Sequence, residues 1–370
     1  MRVLITNRDL ATRGGTQTYV RDLATGLLER GHTPVVYSFA HGDIARELRR
    51  RTIPVVDNLD DLPPPDLIHG HEHMSTMTAL LRFPRVPAIF FCHGWFGWGD
   101  VPPRFPRIMR YVAVDHVCRD RLILECGIPE ERVRTLFNWV DLDRFRARAP
   151  LPNTPRRALL FSNYEMEQQD LRALQKACAQ AKLTLDLIGE GAGRASAAPD
   201  TLLGGYDLIF AKGKSALEAL AVGAAVVICG VRRMGPLVTA AEFQRLRSLN
   251  FGVRTLREPI SAEAALREIR RYDARDAAEV TRRTRLTAGS EAALDETLEL
   301  YEEVIAEHTC AAPNPDDEGR AAAAYLRYLQ AEIVAHGAAS MRLQNRLRRV
   351  PMIGNLALRL LRRVAGRARL

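Results

Sequence analysis

The chain reads as an α/β protein with two Rossmann-like halves facing across a cleft and a helical extension at the C-terminus. Three features of the 370 residues lead there. Short apolar runs alternate with amphipathic stretches through the first half. A polar stretch at 146–156, carrying Pro150, Pro152 and Pro155, interrupts them, and the same alternation then restarts. Strands separated by helices pair in parallel through right-handed crossovers, which is a Rossmann-like sheet.

Arg2 to Thr6 reads as a buried strand. Tyr19, Val20, Leu23, Ala24, Leu27 and Leu28 then repeat at helical spacing within 17–30, with Thr16 able to cap the start and Gly31 to close the end. Strand character returns at 33–39, 67–68, 88–92, 111–114 and 134–137. Beyond the linker, strands are expected at 158–162, 184–188, 207–211 and 225–229, with helices at 170–181 and 215–222. A long acidic helix follows at 291–308, and another is expected at 318–336. These boundaries divide the chain into 1–150, 151–290, a helical segment 291–340 and a tail 341–370. Open parallel sheets bind ligands at the carboxyl ends of their strands, so the cleft between the halves is the expected site.

Composition narrows the class. Hydrophobic residues are 47% and charged residues 26%, the balance of a globular chain with real cores. No apolar run reaches the length of a membrane-spanning helix. The apolar start stops at Thr6, too short for a signal peptide, and the six scattered cysteines form no C-x2-C pair. A cytoplasmic protein with reduced thiols is expected. The net charge of +9 sits entirely in 341–370, where nine arginines meet no lysine or acid, so the body needs no nucleic-acid partner. Leu356, Leu360, Leu361 and Val364 oppose Arg359, Arg362, Arg363 and Arg367 there. That pattern suits an anionic membrane surface or a protein partner, and a helix packed on the body or a disordered end remains open.

Two loops carry candidate chemistry. Arg13-Gly14-Gly15-Thr16 lies between the first strand and helix, where glycines let backbone approach a ligand and the helix start offers N–H groups. It is not G-x-G-x-x-G, and an ordinary glycine turn is an equal reading. In Lys212-Gly213-Lys214-Ser215, two cations precede a helix start and converge on an anion, with Glu218 placed to accept from ribose hydroxyls. Solvated loop charges are the alternative.

Together the motifs resemble glycosyltransferase family 4. Gly14-Gly15 with the Tyr19-Val20-Arg21-Asp22-Leu23-Ala24 helix and Arg30-Gly31-His32 is similar to its opening. Gly127-Ile128-Pro129 followed by Asn138-Trp139-Val140-Asp141-Leu142-Asp143-Arg144-Phe145 is similar to its domain-crossing segment. Leu217-Glu218-Ala219-Leu220-Ala221-Val222-Gly223 is similar to its L-E-A-M-A-x-G segment. The resemblance implies a GT-B fold, a nucleoside-diphosphate-sugar donor, retention of anomeric configuration and no metal or other cofactor. It implies that Glu218 holds the donor ribose, that Gly14 and Gly15 face the donor phosphates, and that His93 helps position the reacting groups. Ser162, Asn163, Gly213, Ser215 and Leu217 complete the expected donor-binding set, and Trp95 and Trp98 the acceptor side. The acceptor would be a glycan, a lipid-linked intermediate or a small molecule.

Two departures stand out. A family glutamate that contacts the transferred sugar falls at Phe210, and the Arg and Lys that neutralise the diphosphate are missing from Phe161-Ser162-Asn163-Tyr164-Glu165. Lys212 and Lys214 are expected to supply that charge, with Arg232 and Arg233 as second choices. A non-catalytic GT-B subunit and a nucleotide-sugar epimerase on the same fold are the alternatives. His69, His71 and His73 form His-x-His-x-His. A strand-end loop at Gly70 and Glu72 would break their shared face, so no metal is expected.

Overall fold

A computed structural model describes residues 1–189, 198–310 and 314–348. The N-terminal half runs β1 (Arg2–Thr6), β2 (Asp9–Leu10), α1 (Gly15–Glu29), β3 (Thr33–Tyr37), β4 (Ala40–His41), α2 (Asp43–Arg50), β5 (Val55–Val56) and β6 (Leu67–Gly70). It continues through α3 (His73–Arg82), β7 (Ala88–Cys92), β8 (Ile108–Ala113), α4 (His116–Asp120) and β9 (Val133–Thr135). Its seven-stranded sheet has the order β5-β3-β1-β6-β7-β8-β9, and every pairing is parallel.

The C-terminal half runs β10 (Arg157–Phe161), α5 (Gln168–Gln180), β11 (Thr184–Ile188), α6 (Pro199–Leu203), β12 (Leu208–Ala211), α7 (Gly213–Val222) and β13 (Ala225–Cys229). Then come β14 (Arg233–Leu237), α8 (Phe243–Ser248), β15 (Glu258–Pro259), α9 (Ala262–Ile269) and α10 (Ala274–Thr287). Its sheet has the order β11-β10-β12-β13-β14-β15, with only the last two pairings antiparallel. Along β12, Leu208 and Phe210 face one core while Ile209 and Ala211 face the other. Both faces of this sheet are therefore covered, which explains why its strands read as unbroken apolar runs.

The linker 146–156 carries no helix or strand. A second crossing lies beside the first, since Val140 N–H donates to Ala288 O at 2.8 Å. The chain then enters α11 (Ser290–Cys310), which packs on the N-terminal half. Arg30 pairs with Glu291 and Asp295, Arg110 pairs with Glu303 and Glu307, and the Tyr301 hydroxyl meets His69 Nδ1 at 2.5 Å.

Local chemistry sets the ends of α1. Gly31, at φ +79°, closes it with His32 N–H donating to Leu27 O and Gly31 N–H to Leu28 O, the pairing of a Schellman cap. The start differs from expectation: Gly14 is the N-cap and Thr16 lies inside the helix. A second compact unit holds Pro103–Pro106 with α12 (Pro315–Arg348). On α12, Leu326, Ile333 and Val334 are exposed. The tail at 349–370 lies outside the described residues, so the amphipathic segment expected there is not described. No helix among the described residues is long and apolar enough to cross a membrane.

Candidate functional site

Topology fixes where a site belongs. From β1 the chain turns to β3 on one side and later enters β6 on the other. From β10 it likewise turns to β11 before entering β12 on the opposite side. Ligands bind outside the carboxyl ends of strands at such switch points. The connections there are 7–14 after β1, His71-Glu72 after β6, Ser162-Asn163 after β10 and Lys212 after β12.

A pocket of about 70 Å³ lies between the halves at this place. Arg13, Gly15, Thr18 and Arg21 line it from the N-terminal half, and Arg144 from the crossing. Asn163, Gly189, Lys214, Ser215 and Glu218 line it from the C-terminal half. Two contacts close it: Asn163 Nδ2 donates to Arg13 O at 3.1 Å, and Lys214 Nζ to Asp22 Oδ2 at 2.8 Å. Helices α1 and α7 both begin at the pocket, and neither start has a side-chain cap. Each therefore presents its positive end, and orphan N–H groups, to the same space. Gly213 adopts φ +60°, which favours glycine, and its own N–H is committed to Phe251 O.

Charges around the pocket are coupled. Burial lifts the Glu218 carboxyl to about 7, although Lys214, Arg144 and Arg21 all favour its charge. Burial also works against the Asp22 charge, but Lys214 and Arg21 outweigh it and hold that carboxyl below its ordinary value. Lys214 further lies over the rings of Trp139 and Tyr19, at 5.4 and 5.9 Å to their centroids. His93 Nε2 is 2.7 Å from His71 Nδ1, and burial followed by the Lys214 charge pushes it down to about 3. It is thus a neutral imidazole at neutral pH.

The other expected residues fall as follows. Lys212 and Lys214 do not converge on one anion, as the sequence reading expects: Lys214 turns to Asp22, whereas Lys212 Nζ lies 4.4 Å over the Tyr164 ring. A correction concerns Leu217, which is fully buried in the core of the C-terminal half, so its side chain cannot contact a ligand. Its position one residue before Glu218 turns it about 100° around α7 from that carboxyl. Ser162 Oγ accepts from Tyr164 N–H at 3.2 Å and shapes the loop beside the pocket. Trp95 lies under Arg254, 5.4 Å from its ring centroid, and Trp98 packs edge-on against His73 at 4.4 Å. Phe96 between them is 81% exposed. Arg232 pairs with Glu167 and is mostly exposed, on a groove apart from the pocket.

His69, His71 and His73 are buried, His69 as the third residue of β6 and His73 as the first of α3. Glu72 caps α3 by accepting from Met74 and Ser75 N–H. No group of side chains fit to hold a metal exists among the described residues.

Four residues at or near the site receive no role from sequence reading. Arg13 and Arg144 each pair with an acid, Glu47 and Asp200, and this places their guanidinium groups along the pocket wall. Gly189, at φ +137°, lets β11 end against the Ser162 carbonyl. A glycine directly after a strand is its only sequence signal. Asp100 accepts from His93 N–H at 3.2 Å, and burial raises its carboxyl to about 6.

The sequence profile of Glycosyltransferase Family 4 matches residues 13–144. A glycosyltransferase from Rickettsia africae ESF-5 superimposes with a TM-score of 0.60 at 16% identity, covering 82% of this chain and 98% of that one. The fold is GT-B, and over residues 13–144 the chain is similar to family 4. HepE (Alr3699) from Anabaena, solved with UDP-glucose, gives the same TM-score and identity, with 82% and 100% coverage. A protein described as a UDP-N-acetylglucosamine 2-epimerase from Listeria monocytogenes reaches 0.51 at 14% identity, with 80% and 94% coverage. No curated protein sequence matches the chain.

Proposed function

We propose that the protein transfers a sugar from a nucleoside diphosphate to a hydroxyl of a glycan, lipid-linked or small-molecule acceptor, with retention at the anomeric carbon. The observation carrying this is the convergence of Arg13, Arg144, Lys214 and two uncapped helix starts on one interdomain pocket that also holds Glu218. Such a surface suits a diphosphate next to a ribose. In the reaction the sugar C1–O bond to the diphosphate breaks, a new C1–O bond forms to the acceptor oxygen, and the acceptor proton passes to the departing phosphate. The three cations stabilise the charge that develops there, in place of the family's Arg and Lys after β10. The Glu218 carboxylate accepts from the ribose hydroxyls. His93, being neutral, orients the acceptor by a hydrogen bond and carries no charge of its own. A 70 Å³ pocket is far below the roughly 300 Å³ or more that encloses a ligand of this size, so the donor enters when the halves part.

The similarity to HepE bound to UDP-glucose supports a nucleotide-sugar donor. One feature favours a non-catalytic nucleotide-binding subunit instead: Phe210 is in the core, and β12 turns no carboxylate toward the cleft. The Arg-rich tail supports attachment to an anionic membrane. Thermal stabilisation by UDP, GDP, ADP and TDP tests the donor reading. A nucleotide at a hundred times its Kd adds roughly 2.7 kcal/mol. That gain should vanish in Glu218→Ala and shrink in Arg144→Met. No stabilisation by any nucleotide would remove the proposal. Nucleotide binding with no detectable sugar transfer would favour the non-catalytic reading, and sugar inversion without an acceptor would identify an epimerase.

A further inference from the structure

Lys212 is a cation beside the cleft that the diphosphate reading leaves unused. It is the N-cap of α7, directly after β12, two residues before the pocket-lining Lys214. Its ammonium is half-buried and lies over the face of Tyr164 at 4.4 Å. Burial lowers its affinity for a proton, and the Cys229 thiol that acts on it is itself raised by burial to about 12 and therefore neutral. Among the described residues no carboxylate pairs with it. The aromatic face of Tyr164 compensates part of the lost hydration. A half-buried ammonium with no carboxylate partner among the described residues is completed by a ligand that brings negative charge.

The direction of α7 says which part of the ligand that is. Glu218 lies in its second turn and Lys214 and Ser215 in its first, so a nucleoside diphosphate runs from ribose to phosphates toward the helix start. Lys212 continues the same line, about 9 Å along the axis from Glu218 at 1.5 Å per residue. The group that follows the second phosphate is the sugar. Around it β12 contributes no acid, since Leu208, Ile209, Phe210 and Ala211 are all buried. Hydroxyls of a neutral hexose can accept from this cation, but only an ionised group on the sugar would neutralise it.

We propose that Lys212 selects a donor whose sugar carries a carboxylate, a hexuronic acid, by pairing with that carboxylate over the Tyr164 ring. The inference rests on the nucleotide-sugar reading above. Its test compares UDP, UDP-glucose and UDP-glucuronic acid by calorimetric titration of the full chain and of Lys212→Met and Lys212→Arg. The wild type should bind UDP-glucuronic acid at least tenfold more tightly than UDP-glucose. Lys212→Met should lose that preference while keeping its affinity for UDP, and Lys212→Arg should keep most of it. Equal binding of the two conjugates by the wild type overturns the inference but leaves the donor reading intact. An equal loss for UDP and both conjugates in Lys212→Met also overturns it, because Lys212 would then be a phosphate ligand. If UDP and both conjugates fail to bind, the uridine form of the donor reading falls and the inference with it.

Discussion

Lys214 on α7 and Asp22 on α1 form a buried ion pair at 2.8 Å that joins the two halves beside Glu218. Their side chains are only 10% and 12% exposed. Asp22 also accepts from Arg21 at 2.5 Å, so one carboxylate serves two cations.

That sharing makes the two partners unequal. Asp22→Asn takes from buried Lys214 and Arg21 the carboxylate they share and should cost about 3 kcal/mol or more. Lys214→Met leaves Asp22 still paired with Arg21 and should cost clearly less, about 1 kcal/mol. Urea denaturation of both variants checks the order. Equal losses would mean that Arg21 does not hold Asp22 in solution.

Glu218 gives a pH dependence of definite sign. Its carboxyl is raised from 4.5 to about 7 by burial. The fold therefore carries more protons than the unfolded chain between those values, and this contribution to stability is lost as pH rises through 7. Glu218→Gln should match or trail the wild type below pH 4.5 and exceed it above pH 7, by up to roughly 3 kcal/mol at 1.4 kcal/mol per unit. Nucleotide affinity should move the opposite way in the wild type, rising toward pH 7 as the carboxylate forms. A flat affinity profile from pH 5 to 8 would separate Glu218 from the ribose.

The architecture was legible because alternating short apolar runs and helical stretches are dictated by sheets covered on both faces. Strands 184–188 and 225–229 fall where the sequence puts them. Glu218 was legible through its local motif. The missing pieces are those that depend on contacts far apart in sequence. Arg13 reaches the pocket wall beside Glu47 and Arg144 beside Asp200, and no local pattern reports either pairing. The same limit explains Lys212 and Lys214. They are two residues apart at a helix start, and only Tyr164 and Asp22, distant in sequence, decide where each ammonium turns.

The histidine cluster predicts acid sensitivity. His69 stacks on Phe91 with ring centroids 4.3 Å apart, and its centroid is 4.4 Å from that of His71, which hydrogen-bonds to His93. Burial holds the imidazoles of His69 and His71 well below 6.5 and that of His93 at about 3. Their contribution is present above pH 6.5 and is lost as pH falls, because unfolding then takes up protons. Glu218 and Asp100, both raised, titrate with the opposite sign, so the total slope conceals the effect. His71→Gln isolates one imidazole. Relative to the wild type, its stability should gain about 1.4 kcal/mol for each pH unit below 6. A constant difference between the two proteins from pH 6 to 4.5 would show that His71 is not held neutral.

Two pocket glycines should respond in opposite ways. At Gly189, φ is +137°, a conformation nearly restricted to glycine, and a Cβ would overlap the Ser162 carbonyl oxygen. Gly189→Ala must therefore push the ends of β10 and β11 apart, costing about 2 kcal/mol or more and distorting the pocket floor. At Gly15 a Cβ meets no atom within 4 Å, so the protein itself has no packing need for glycine there. Gly15→Ala should fold with unchanged stability, or gain slightly, since it adds a better helix former at the start of α1. Its methyl group would still project where phosphate must approach the helix N-terminus, so nucleotide affinity should fall about tenfold or more. Circular dichroism melts and nucleotide titrations on both variants separate the cases. A Gly15→Ala protein that binds nucleotide normally would move the phosphates away from α1 and leave the anion site to α7 and the cations alone.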